Sequence, residues 1–350
     1  MYTFSVPLKI EFSACKKKYM FLPLLAALPL FAACSRREAA PALRIGVSIP
    51  TQREERWARD VKTLRSEAAA KGIDLRLQIS DNDSARQLAQ CENLFAQGVD
   101  VLIIAPHDAA AASVIVKKAH RYGIKVISYD RLITDADLDL YISFDNVKVG
   151  EIQGKYLTKL VPKGTYVVLA GAPTDNNAKL FRQGAMNIIQ PLVTRGDIKI
   201  VMDQYVRDWQ PIEAMKLMEN ALTANKNAID AVLAPNDGTA GGVIQALAQQ
   251  HLEGKIPVTG QDAELAAAQR IVKGTQTMTV FKDTRELACA ALEAAKKMAS
   301  GLDPGANAKV NNGKIDVPSL LLTPLAVDKS NLDVILIAGG YLKKDDVYHR

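Results

Sequence analysis

Short apolar runs alternate with longer amphipathic stretches along the chain from Leu43 onward. The apolar runs are rich in β-branched and aromatic residues, as in buried strands, and the stretches between them have the spacing of helices. The runs predicted to be strands are LRIGVSI, DLRLQIS, VDVLIIAP, KVISYD, LYISFD, TYVVLAG, IKIVMDQ, AIDAVLAP, IPVTGQD and TQTMTVF. Strands that alternate with helices favour right-handed βαβ units. The pattern therefore predicts an α/β fold with parallel sheets.

The alternation restarts after Asn146, which indicates two similar doubly wound parallel-sheet lobes. The helix predicted for Thr284–Ser300 follows the last strand of the second lobe, so we expect it to return to the first lobe. The segment LLTPLAVD is expected to cross back again. The predicted N-terminal lobe is 43–146 plus 283–322, the C-terminal lobe is 147–282 plus 323–350, and the three crossovers lie near Asn146, Lys282 and Thr323.

Residues 1–41 have the character of an export segment. Lys16, Lys17 and Lys18 precede the apolar run MFLPLLAALPLFAA, which is too short for a membrane span and suits a signal peptide. The run ends at Cys34, and FAAC resembles a lipoprotein processing box. We expect a signal peptide over 1–33, a lipid on Cys34 and a tether over 34–42. The alternative is ordinary cleavage nearby, with Cys34 free or removed; the start could be Met1 or Met20.

Charge and cysteine content restrict the class of protein. Residues 1–33 carry half of the net charge of +6. The remainder is too weakly basic to indicate a nucleic-acid partner or an anionic membrane surface. Beyond Cys34 only Cys91 and Cys289 remain, so at most one disulfide could form, and no CxxC motif is present.

Motifs that would indicate catalysis are missing from the sequence. It contains no phosphate-binding GxxxxGK[ST], no HExxH zinc motif, no GxSxG and no GxGxxG after the first strand. The four histidines lack the spacing of metal ligands. We therefore predict no metal, no cofactor and no catalytic residue, and nothing in the sequence argues for an enzyme.

Polar residues and both tryptophans gather just beyond the predicted strands, where open α/β sheets place their ligand sites. The candidate ligand residues among them are Arg56, Trp57, Asp130, Arg131, Asn177, Trp209, Asn236, Asp262 and Lys282. Carboxylates, amides and guanidinium groups can bridge neighbouring sugar hydroxyls, and an indole can stack on the apolar face of a pyranose. This mixture of side chains suits a neutral sugar.

Each of these residues also has an ordinary structural explanation. Asn177 and Asn236 could be helix caps, Arg56 could lie on a solvated face, and Trp57 could belong to the core. Asp130 or Asp262 could cap the helix that follows or pair with an arginine. The shared position at strand ends in both lobes favours the binding interpretation.

Several longer stretches of the sequence resemble those of a known protein family. The chain resembles the type I, ribose-binding-like family of periplasmic sugar-binding proteins, and within it the D-xylose-binding proteins of xylose ABC transporters. The resemblance covers Leu43 to about Asp333. The stretches that carry it are ERW (55–57), ISYDRLITDADLDLYISFDNVKVGE (127–151), PTDNNAKLFRQGAM (173–186), MENALTANKNAIDAVLAPNDGTAGGVIQAL (218–247), GQDAELAA (260–267), GTQTMTVFK (274–282) and VNNGKIDVPSLLLTP (310–324).

The resemblance implies a periplasmic, monomeric, non-enzymatic receptor that closes two lobes around an aldopentose, foremost D-xylose. It implies delivery of the sugar to the permease of an ABC transporter and, through it, to the ATPase. The alternative is a receptor that signals to a chemoreceptor or a sensor kinase. The ligand residues that the resemblance implies are Arg56, Trp57, Asp130 and Arg131 from the first lobe, and Asn177, Trp209, Asn236, Asp262 and Lys282 from the second lobe and hinge.

Overall fold

The computed structural model describes residues 42–348. Its strands are β1 (Arg44–Ile49), β2 (Asp74–Ile79), β3 (Val101–Ile104), β4 (Lys125–Tyr129), β5 (Leu140–Phe144), β6 (Gly164–Ala170), β7 (Ile198–Tyr205), β8 (Ala231–Leu233), β9 (Met278–Phe281), β10 (Ala308–Asn311), β11 (Asp316–Leu322) and β12 (Leu325–Asp328). Its helices are α1 (Glu55–Ala70), α2 (Ser84–Ala96), α3 (Ser113–Arg121), α4 (Asn146–Leu160), α5 (Asn176–Thr194), α6 (Pro211–Ala224), α7 (Asp237–Ala248), α8 (Leu265–Lys273), α9 (Thr284–Ala299) and α10 (Lys344–Tyr348).

The first sheet has the strand order β10-β11-β5-β4-β3-β1-β2. All its pairs are parallel except β10 with β11. Helices α1 and α9 bury their apolar sides on one face, where Leu64 and Leu292 join a core with Val47 and Ile127. The packing of α9 on this sheet agrees with the return to the first lobe expected for the helix at Thr284–Ser300.

The second sheet is built around β7-β6-β8, a parallel set, and the antiparallel pair β9 and β12. The segment 256–262, expected to be a strand, links these parts only by single bridges, Val258 to Val232 and Gln261 to Val280. The segment therefore takes the predicted place between β8 and β9, but it does not form the predicted continuous strand. The segment keeps a few backbone bonds, such as Val232 N–H to the carbonyl oxygen of Pro257 at 2.9 Å. Side-chain hydroxyls interrupt the ladder: Ala234 N–H donates to Thr259 Oγ1 at 3.0 Å, and Val258 N–H donates to Thr277 Oγ1 at 2.9 Å.

The chain passes between the two sheets at three places. It leaves the first sheet from β5 into α4, returns from β9 into α9, and leaves again from β11 into β12. These passages contain Asn146, Lys282 and Thr323. Contacts between Asp130–Arg131, after β4, and Asp175–Asn177, after β6, show that the carboxyl ends of these strands face one another across a cleft.

Helices α4 and α5 pack with their backbones in close contact. A Cβ at Gly150 would lie 1.9 Å from the carbonyl oxygen of Phe181, and one at Gly184 would lie 1.9 Å from that of Val147. Only glycine permits this approach. The contact fixes α5, which carries Asn177 and Phe181 at the cleft.

Several sequence predictions fall on residues that the structure leaves undescribed. The predicted signal peptide, Cys34 and nearly all of the 34–42 tether lie outside the described residues. No helix within residues 42–348 combines the length and apolar character needed to cross a bilayer. Cys91 and Cys289 are both free thiols, so they form no disulfide with each other.

Candidate functional site

A small cavity lined by mostly buried side chains lies between the two sheets, at the carboxyl ends of their strands. Its lining contains every predicted ligand residue and four others: Glu54, Arg56, Trp57, Asp130, Arg131, Asp175, Asn177, Phe181, Trp209, Asn236, Gln261, Asp262 and Lys282. The structure thus brings the predicted set together; that these residues bind a ligand stays a prediction.

Three cavity residues have a left-handed backbone. The φ angles are 58° at Asp130, 57° at Trp209 and 94° at Asp262. This conformation is costly for residues other than glycine and concentrates at functional sites. At Asp130 it is held by hydrogen bonds to the carbonyl oxygen, which accepts from Tyr141 Oη at 2.9 Å and Ser143 Oγ at 2.7 Å.

Charged side chains from both sheets meet in the cavity. Arg56 Nη1 donates to Asp130 Oδ2 at 2.7 Å, and Lys282 Nζ lies 3.5 Å from carboxylate oxygens of both Asp130 and Asp262. All four side chains are buried. Burial by itself raises the pKa of Asp130, but the charges of Arg56 and Lys282 outweigh it and lower that pKa to about 2. Asp130 is therefore an ionised hydrogen-bond acceptor at neutral pH.

Direct contacts join the two sides of the cleft. Arg131 Nε lies 2.8 Å from Asp175 Oδ2, and both side chains are buried. Asn177 Nδ2 donates to the Asp130 carbonyl oxygen at 3.0 Å. Burial raises the pKa of Asp175, although the charge of Arg131 opposes the change. The structure is consequently closed around the cavity.

Four cavity residues carry a buried polar atom without a hydrogen bond to any group of the described chain. These atoms are Glu54 Oε2, Trp209 Nε1, Gln261 Oε1 and Asp262 Oδ1, the last of which has only the longer ion-pair contacts with Lys282 and Arg56. Buried polar groups are rarely left unpaired, because each costs free energy. Three of the four are acceptors and one is a donor, which matches a ligand whose groups both donate and accept, as hydroxyls do.

Aromatic rings form the apolar part of the lining. Phe181 and Trp209 pack edge to face, with their ring centroids 6.3 Å apart. The Trp57 ring carries the Arg56 and Arg131 guanidinium carbons at 4.4 and 5.2 Å from its centroid. Trp57 also belongs to the core of the first sheet. Its ring therefore supports the two arginines as well as facing the cavity.

The alternatives left open by the sequence are resolved residue by residue. Asn236 is a true helix cap, since its Oδ1 accepts from Thr239 N–H at 3.0 Å, and it lines the cavity as well. Asn177 is not the cap of α5; Asp175 is. Arg56 is 5% exposed and thus not on a solvated face.

Glu54, Asp175, Phe181 and Gln261 were not among the predicted ligand residues. Two of them could have been found from the sequence, because they adjoin predicted residues: Glu54 directly precedes the stretch ERW, and Gln261 directly precedes Asp262. Phe181 lies four residues after Asn177 and so on the same helix face. Within residues 42–348 no group of three or more histidine, cysteine, aspartate or glutamate residues has the arrangement of a metal site.

Comparisons with known proteins agree with this architecture. The sequence model of the periplasmic binding protein domain matches residues 45–303. The D-xylose-binding periplasmic protein of Haemophilus influenzae is 46% identical over 334 residues, 95% of this chain and 100% of the relative. The protein of the same name from Escherichia coli is 49% identical over 308 residues, 88% of this chain and 93% of the relative.

A solved structure shows the same fold. The carbohydrate transporter solute-binding protein from Chloroflexus aurantiacus, in complex with D-glucose, is 36% identical and superposes with a TM-score of 0.81, covering 86% of this chain and 97% of that one. The predicted fold class, two parallel-sheet α/β lobes of the type I kind, is confirmed. The chain belongs to the periplasmic binding protein family.

Proposed function

We propose that this protein is an exported solute receptor that captures an aldopentose, foremost D-xylose, between two lobes and delivers it to an ABC transporter. The observation that carries the proposal is the closed cavity, whose buried polar atoms without a hydrogen bond come from both sides of the cleft. A ligand that satisfies them would stabilise the closed form through contacts that an open form cannot make.

The cavity chemistry supports a neutral, polyhydroxylated ligand. Arg56 and Lys282 lie against Asp130 and Asp262, and Arg131 pairs with Asp175, so no cation of the lining is left over to demand an anionic ligand. Carboxylate and amide oxygens can accept from hydroxyls, and Trp209 Nε1 can donate. The rings of Phe181 and Trp209 offer an apolar surface for the C–H face of a pyranose.

The choice of D-xylose rests on the relatives. Both close relatives described above bear the name D-xylose-binding periplasmic protein, and together they cover nearly the whole chain. The Chloroflexus protein, solved with D-glucose, is less similar.

We propose that the two moving lobes are 43–146 with 283–322 and 147–282 with 323–348. The three passages between the sheets, at Asn146, Lys282 and Thr323, form the hinge in this proposal. It is supported by the distribution of the strands, because every strand of the first sheet falls in the first set of residues and every strand of the second sheet in the other. Lys282 is then both a hinge residue and a cavity residue.

Calorimetric titration of the purified mature protein tests the ligand. We expect D-xylose to bind with micromolar or tighter affinity, about −8 kcal/mol or better, and D-glucose to bind more weakly. Nucleotides and amino acids should give no heat. If D-xylose gives no heat and a hexose clearly binds, the ligand assigned here is wrong and the receptor is one for a hexose. If no aldose gives heat, the proposal is rejected.

We further propose a periplasmic monomer that binds without turnover and is anchored by a lipid on Cys34. Export and anchoring are supported by the apolar run that ends at Ala32, Ala33 and Cys34. Labelled fatty acid should enter the wild-type protein and not Cys34→Ser. A native protein that stays wholly in the periplasmic soluble fraction would contradict the anchor.

Transport and signalling share the same closed form, so the partner needs its own test. In the proposed role, the sugar-loaded protein raises the ATPase rate of its transporter in proteoliposomes, and the sugar-free protein does so less. Loss of growth on D-xylose after deletion of the gene would agree with transport. Normal growth with a lost chemotactic or transcriptional response would favour the alternative, a receptor for a chemoreceptor or sensor kinase.

A further inference from the structure

A buried acid outside the cavity forms hydrogen bonds to Arg56, one of the residues proposed to bind the sugar. Asp60 lies on α1, four residues after Arg56, and is 0% exposed. Its Oδ2 accepts from Arg56 Nε at 3.3 Å and from Arg56 Nη2 at 3.1 Å. Asp60 is absent from the cavity lining, so it acts at a distance from any ligand.

The other oxygen of Asp60 is held from the sheet. Asp60 Oδ1 accepts a hydrogen bond from the hydroxyl of Tyr129. Tyr129 is the last residue of β4, is 0% exposed, and directly precedes Asp130. Both carboxylate oxygens of Asp60 are therefore occupied, and the helix is tied to the strand that carries the cavity acid.

This arrangement leaves Arg56 one orientation. The edge formed by Nε and Nη2 is taken by Asp60, so Nη1 is the nitrogen turned to Asp130, at 2.7 Å, and it lies 3.9 Å from Asp262. A guanidinium has a fixed planar fork of donors, so fixing one edge fixes the direction of the others. The Trp57 ring, 4.4 Å from the guanidinium carbon, closes off movement on that side.

We propose that Asp60, with Tyr129, is a positioning residue for sugar binding: it aims the Arg56 guanidinium at the cavity and so raises affinity without touching the ligand. The proposal rests on the proposed function. It differs from a purely structural role because the effect of Asp60 on affinity must pass through Arg56. A structural role would act on folding and be independent of the residue at position 56.

The experiment is a double-mutant cycle with D-xylose affinity as the readout and the apo melting temperature measured beside it. Asp60→Asn should weaken binding at least about tenfold, as expected when a hydrogen bond from a charged donor is misdirected. In an Arg56→Lys background the same change should alter affinity by less than about twofold. Tyr129→Phe, which removes only the hydroxyl, should weaken binding by about threefold or more.

A matched control lies on the same helix. Glu67 forms an i, i+4 ion pair with Lys71, more exposed than that of Asp60, and is not part of the cavity lining. Glu67→Gln should leave affinity unchanged. Equal losses from Asp60→Asn in both backgrounds, or wild-type affinity in Asp60→Asn, would overturn the proposal. If Asp60→Asn does not fold, Tyr129→Phe decides, and unchanged affinity there overturns it. A wild type that binds no aldose would reject the proposed function, and this inference with it.

Discussion

Gly171 offers a way to move one indole of the cavity without removing any group. The residue directly follows β6 and lies under the Trp209 ring. A Cβ at this position would be 2.0 Å from Trp209 Cη2, whereas ordinary contact begins at 3.4 Å. The backbone of Gly171 is not left-handed, so alanine is allowed there except for this clash. In Gly171→Ala the ring must therefore shift by about 1.4 Å, the difference between these distances.

The cost of this shift follows from how tightly the indole is held. Trp209 is 6% exposed, and its ring packs edge to face on Phe181. Forcing an extra carbon into a packed site costs about 1–3 kcal/mol. If the cost falls on the sugar-bound form, D-xylose affinity drops by about 5- to 150-fold.

Titration calorimetry measures the affinity, and thermal unfolding of the apo protein measures any part of the cost that falls on stability. Gly238→Ala is the control, because a Cβ there has no heavy atom closer than 3.7 Å. The control should keep both values. Wild-type affinity together with a wild-type melting temperature in Gly171→Ala would refute this account of how Trp209 is held.

Two further predictions concern charges at the cleft. Asp130→Asn should lower D-xylose affinity at least about tenfold. Since the pKa of Asp130 is lowered from 3.8 to about 2, its charge stabilises the fold above about pH 4, and about 2 kcal/mol is lost as the pH falls towards 2. Acid unfolding should show this loss in the wild type and not in Asp130→Asn; identical pH profiles would contradict it. Glu55 Oε2 accepts from Leu265 N–H at 3.0 Å across the cleft, so Glu55→Ala should speed sugar release about fivefold, the effect of losing a helix cap of about 1 kcal/mol. Stopped-flow fluorescence measures that rate, and an unchanged rate would show that the contact does not hold the closed form.

The local pattern of the sequence was enough to predict the α/β architecture and much of the candidate site. Asp130 and Asp262 follow apolar runs, and residues at the carboxyl ends of parallel strands collect at one edge of a sheet. The resemblance then restricted the set to residues that all prove to line one cavity. The segment 256–262 shows the limit of the pattern, because an apolar run indicates burial but not regular pairing.

What the sequence by itself determined is the alternation of strands and helices from β1 to α9, apart from the segment 256–262, and the polar strand ends that follow from it. Short-range periodicity sets that alternation; β10, β11 and β12 carried no such signal. Only the tertiary structure decided which of those ends meet: Arg56 pairs with Asp130 across 74 residues, and Lys282 reaches Asp130 across 152. It alone showed Asp60 behind Arg56, Phe181 beside Trp209, and Gly171 beneath that indole. These contacts depend on how helices and loops pack after the sheets have formed, and no local periodicity records such packing.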